Sequence, residues 1–157
     1  MFQLFLFLHI GGAIIAFGPT FALPLVGALS AKEPQHANFA ARASGIISQR
    51  RIIPFALSMA VTGGLLIWWT GRDLTSPANY WLDVAIVIYV FALGYALLVQ
   101  APAGRRLVDL TSRPPDPGAS GPPPELMATA KRLRQGTLIL MGAITIIVAL
   151  MVFKPGA

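Results

Sequence analysis

This sequence predicts an all-α protein, an integral membrane four-helix bundle with both termini on the extracytoplasmic side, and three observations predict it. Of the 157 residues, 55% are hydrophobic and only 11% charged, against the roughly one-quarter charged residues of soluble domains. The apolar residues gather into four runs, about Phe2 to Leu29, Ile52 to Thr70, Tyr80 to Gln100 and Thr137 to Phe153, each near or above the ~20 residues with which a helix crosses a bilayer. The basic residues are confined almost wholly to two of the three intervals between those runs. Strands do not fit, because the runs are too long and too uniformly apolar for a barrel wall, and an open sheet cannot satisfy its edges in lipid.

The first run, longer than a bilayer needs, contains Pro19 and Pro24. These leave the carbonyls of Ile15 and Thr20 without their intrahelical donors, so a kink is expected near Gly18-Pro19. No basic residue precedes the run and several follow it, so it is expected to stay in place as a membrane helix despite a small-residue stretch at Ala28 to Ala31. Between Asn38 and Arg51, Ala, Ser and Arg surround Phe39, Ile46 and Ile47, which reads as an extension of the second helix lying at the headgroups. The loop from Gly71 to Asn79 is short and makes helices two and three antiparallel neighbours. Trp68, Trp69, Tyr80 and Trp81 flank it, as expected of an interfacial aromatic belt. A linker over about 112–124, rich in Pro and Gly, reads as an extended spacer. Glu125 then opens the last helix at the positive end of its dipole. The whole chain, 1–157, is expected to form one domain.

Charge sets the expected orientation. All twelve Lys and Arg residues except Arg72 and Lys154 fall in the first and third intervals or at their edges. Counting positive charge by loop places those two loops in the cytoplasm and both termini outside. In such a chain, the net charge of +6 points to anionic lipid headgroups and away from nucleic acid. With no cysteine, disulfides, thiolate metal sites and cysteine nucleophiles are excluded.

Two ionisable residues fall inside the apolar runs. His9 shares a helical face with Gly12, Ala13, Ala16 and Thr20, all small, so it should point into the bundle where helices approach closely. Asp83 is one turn inside the third helix, at a similar depth, and a His9–Asp83 hydrogen bond would offset the cost of burying either alone. If haem b is bound, His9 is the ligand the sequence offers, with Met151 or the His9 of a second copy as its counterpart; His36 falls at the opposite end. Ser58, Thr62, Gly63 and Gly64 in helix two suit close packing. Nucleophile motifs and phosphate-cradling loops are absent.

At its two ends the chain resembles a known group. The Leu8-His9 pair in the first helix and the closing LMVFKPG, Leu150 to Gly156, are similar to the small bacterial predicted integral membrane proteins grouped as domain of unknown function 2269. The first helix departs from that pattern at Phe17-Gly18-Pro19. The resemblance implies the four-helix architecture and supplies no activity. More distantly, the layout is similar to that of the copper-resistance D-like and membrane protoporphyrinogen oxidase families, in which intramembrane histidines are associated with metal or haem.

The function expected first is that of a non-enzymatic accessory or interaction subunit of a complex in the bacterial cytoplasmic membrane. Its partners would be lipid and other membrane subunits or a second copy. A haem-binding or redox-linked protein using His9 is the alternative, and an oligomeric transporter of small solutes or ions is a third.

Overall fold

The computed structural model describes residues 1–114 and 121–156. Of the linker expected over 112–124, the stretch 115–120 is therefore outside the described residues. Four helices, each long and apolar enough to span a membrane, make up nearly all of the rest: α1 (Phe2–Lys32), α2 (Pro34–Thr70), α3 (Pro77–Thr111) and α4 (Pro124–Phe153). They are longer than the apolar runs that announce them. At 1.5 Å per residue they measure roughly 45 to 55 Å, against ~30 Å of hydrocarbon, so each projects into the headgroups or beyond.

Consecutive helices are antiparallel. His9 of α1 meets Thr62 of α2, while Gly12, further along α1, meets Met59 and Phe55, further back along α2. Asn38 at the start of α2 donates to Thr111 at the end of α3, and Gln100 of α3 donates to Leu133 of α4. The four form a ring: α1 packs on α2 and α4, and α3 packs on α4 and on the lower part of α2. One end of the ring, here the loop end, holds the 71–76 connection and the residues near Phe2 and Phe153. The other, the basic end, holds Lys32, Arg50, Arg51, Arg105 and Arg132.

Burial follows the rule for helices in lipid. Without a hydrophobic drive between helices, packing depends on close approach, and small residues permit it. On α1 the buried residues are Gly12, Ala16 and Thr20, which is the small face read from the sequence. A Cβ on Gly12 would stand 3.3 Å from Met59 Cγ. Ala16, Ala56 and Met59 form the centre, with Tyr89 and Leu93 reaching it from α3. The Tyr89 hydroxyl donates to the Ala56 carbonyl, bridging α3 to α2 at mid-bundle. Bulky apolar side chains such as Phe7, Ile14, Val61, Val87 and Val152 face outward, where lipid is as good a solvent for them as protein.

Prolines shape the helices in two ways. α1 runs unbroken through Pro19 and Pro24. α2 and α3 instead widen, each by one π-helical turn, at Ser48–Ile52 and Ala96–Gln100. After one intervening residue, each wide turn is followed by a proline, Pro54 and Pro102. A proline has no N–H to give the carbonyl four residues back, and its ring strikes that carbonyl. Inserting a residue into the ladder removes the clash while keeping the rod continuous.

The wide turn in α3 aims Gln100 at α4. Its Nε2 lies 3.3 Å from both the Leu133 carbonyl and Thr137 Oγ1, and Gly136 makes room. A Cβ at position 136 would sit 2.7 Å from the Gln100 amide. Beyond the membrane, Arg106 uses Nε and Nη2 on Glu125 and Nη1 on Asp109, which also accepts from Arg113. These exposed pairs contribute little stability, about 0–1 kcal/mol each, yet they tie the end of α3 to the start of α4 across the linker.

Gly136→Ala is expected to lower stability in detergent by about 1–2 kcal/mol by displacing the Gln100 amide. In a Gln100→Ala background the same substitution should cost much less. A thermal or denaturant melt of the four variants in the cycle measures this coupling, and strictly additive effects would refute the contact.

Candidate intramembrane polar site

His9 is placed by α1, seven residues in from Phe2, and is half-buried against α2. Its Nδ1 is 3.0 Å from Thr62 Oγ1. Thr62 has a second neighbour for its hydroxyl. As a hydroxyl within a helix it donates its one proton back to the Ser58 carbonyl at 3.0 Å, the local bond that helical threonines commonly form. In that arrangement the oxygen accepts from His9, the ring proton is on Nδ1 and Nε2 keeps its lone pair; the other tautomer would take the Thr62 proton on Nδ1 instead. No described residue bonds to Nε2.

Gly63 completes the site. A Cβ there would stand 3.2 Å from His9 Cε1 and 3.7 Å from Nδ1, tighter than side chains ordinarily pack, so the imidazole lies over bare backbone. The sequence marks Thr62 and Gly63 as packing residues. Their role as the hydroxyl partner and the floor of His9 goes unread, because a neutral partner leaves no charge pattern to find.

The other residues singled out in the sequence stand apart. Among the described residues there is no His9–Asp83 bond. The reason is the ring: α1 and α3 face each other across its diagonal, and His9 turns to the α2 flank. Asp83 is half-buried in the first turn of the regular part of α3 and has no hydrogen-bonding or ionic partner among the described residues. Met151 is 37% exposed near the end of α4 and shares no bond with His9. His36 is at the basic end, 3.9 Å from Glu33. Among the described residues, no cluster of three His, Asp or Glu side chains has the arrangement to hold a metal ion.

In the 71–79 loop, Asp73 accepts from the Thr75 hydroxyl at 2.7 Å and the Thr75 N–H at 2.8 Å. The hydroxyl bond first, and the N–H second, hold its carboxyl below the usual range. That acid belongs to its own turn and takes no part in the intramembrane site.

What His9 can do follows from its tautomer. A neutral imidazole oriented through Nδ1–H presents Nε2 to accept a hydrogen bond, take a proton or ligate a metal, and a hydrogen-bonded Nδ1 is how ligating histidines are normally steadied. Thr62→Val should remove that orientation. In nitrogen-labelled protein, the wild-type His9 spectrum is expected to show a protonated Nδ1 and an unprotonated Nε2. The variant should show mixed tautomers with a stability loss of roughly 0.5–1.5 kcal/mol; an unchanged spectrum would show that Thr62 does not set the tautomer.

Over residues 3–155 the chain matches the family described as "Predicted integral membrane protein (DUF2269)". No curated protein and no solved structure matches it. The chain belongs to that family and is an integral membrane protein.

Proposed function

We propose that this member of the DUF2269 family is a non-enzymatic subunit of a complex in the bacterial cytoplasmic membrane, which docks a transmembrane helix of another protein along the outward side of α1. One observation carries the reading. Gly11 and Gly18 stand two turns apart on α1, and at neither would a Cβ meet any atom within 4 Å. A glycine inside a helix costs about 1 kcal/mol relative to alanine. Gly12 recovers that cost through its contact with α2, whereas Gly11 and Gly18 recover nothing within the chain. In membranes such residues repay their cost when a second helix approaches closely.

Gly18 also lines an apolar groove of about 420 Å³, with Ala13, Phe17, Phe21, Ile144 and Val148 among its walls, where α1 and α4 flank a space that takes a bulky side chain. The basic end fits a cytoplasmic orientation by the positive-inside rule, with the loop end outside.

Gly18→Leu is expected to leave the bundle folded, with unchanged or slightly raised thermal stability, while sharply reducing the partner recovered after crosslinking in native membranes. Full recovery of the same partner would defeat the reading. Recovery of a second copy of this chain alone would convert it to a homodimer.

A second reading has its own support in the oriented His9. In the tautomer protonated at Nδ1, Nε2 would be free to hold a haem iron, with Met151 or the equivalent histidine of a second copy as the further ligand. Purified protein should then show a Soret band that His9→Ala removes and Thr62→Val shifts or weakens. A colourless wild type, expressed with haem supplied, would end this reading.

A further inference from the structure

At the loop end, the two basic residues that stand apart from all the others meet on one side chain. Arg72 Cζ is 5.5 Å and Lys154 Nζ 5.9 Å from the centroid of the Trp81 ring. Arg72 arrives from the turn after α2, where Gly71 ends the helix in the left-handed conformation at φ 59°. Lys154 arrives from the end of α4 and is itself left-handed, at φ 44°, a conformation that favours Gly or Asn. Trp81 is 5% exposed, and its indole Nε1 is buried with no acceptor among the described residues.

Carboxylates are close at hand in the sequence, yet no ion pair forms with either cation among the described residues. Asp73 is occupied by Thr75. Asp83, half-buried, makes no ionic contact. Arg72 Nη1 donates to Asn79 Oδ1 at 3.0 Å, and the Asn79 amide donates in turn to the Asp73 carbonyl, so Asn79 does not cap the helix it precedes. The regular part of α3 accordingly begins with no side-chain cap, and Asp83 is the acidic residue of its first turn. Two cations and an indole N–H, all donors, are thus gathered on one ring, and the Asp73 carboxylate in the same loop is spent on Thr75.

We propose that Arg72, Lys154 and Trp81 form a binding site for the phosphate of an anionic lipid headgroup in the leaflet at the loop end. An indole is suited to that depth, with an apolar body and one donor. Guanidinium and ammonium groups held near it supply the charge-assisted bonds that phosphate takes. The exposed Trp68, Trp69 and Tyr80 place the site at the level of headgroups, and a lipid rather than free phosphate brings acyl chains that the apolar flanks of α3 and α4 can hold.

The full chain, purified in a neutral detergent, would be titrated with phosphatidylglycerol and read by native mass spectrometry, with circular dichroism confirming that each variant remains helical. Wild type should retain one lipid tightly, and Arg72→Gln with Lys154→Gln should weaken that step by roughly tenfold or more. Trp81→Phe keeps an aromatic ring under the cations and removes the donor, so a smaller loss is expected from a variant with little risk to the fold. Arg132→Gln with Arg134→Gln, at the basic end, should leave the tight step unchanged. Equal retention by wild type and the double variant would overturn the proposal. So would full displacement of the lipid by inorganic phosphate, which would assign the site to a free anion.

Discussion

Everything in this bundle depends on how closely α1 can lie against α2. In lipid the large apolar side chains gain nothing by turning inward, so cohesion comes from backbones brought near each other and from the few polar groups that then meet. Gly12 and Ala16 supply the approach, with Met59 and Ala56 filling the opposite side. The same closeness brings His9 over Gly63 and within reach of Thr62. The polar site is thus a product of the packing, and a bulkier residue anywhere along that seam would disturb both.

The joint between α3 and α4 repeats the principle by other means. There the approach is made by Gly136, and the group it admits is an amide. The Gln100 bonds to Leu133 and Thr137 are made possible by the wide turn that Pro102 imposes. Proline, glycine and glutamine act as one unit, and none of the three has an evident reason without the other two. One amide oxygen of Gln100 stays buried without a partner among the described residues, a cost this joint carries.

Much of this was legible in advance, for a physical reason. Membrane spans announce themselves because each must be apolar over a bilayer's thickness, and the small face of α1 was visible because a helix repeats every 3.6 residues. Other features left weaker marks. His9 stands out as an ionisable group, and the sequence offers Asp83 as its partner because charge is conspicuous in an apolar run. The actual partner is a threonine hydroxyl, which composition treats as unremarkable. The length of α3 is hidden too, since its polar end past Gln100 carries no apolar signal, whereas the mixed composition from Asn38 to Arg51 does announce the extension of α2. Pro54 and Pro102 were in plain view, but their effect depends on whether the helix breaks or widens, and that is decided by the neighbours that hold it.

The length of α2 and α3 has a mechanical consequence. Past their wide turns the two rods continue side by side, Asn38 of one bonded to Thr111 and Ser112 of the other, so they move as a single beam. That paired stretch, roughly 15–20 Å long at 1.5 Å per residue, converts each degree of tilt into about 0.3 Å of travel at its tip. Any tilt by which the bundle met a thinner or thicker bilayer would therefore be carried to the basic end by both rods together, like a yoke joining two shafts.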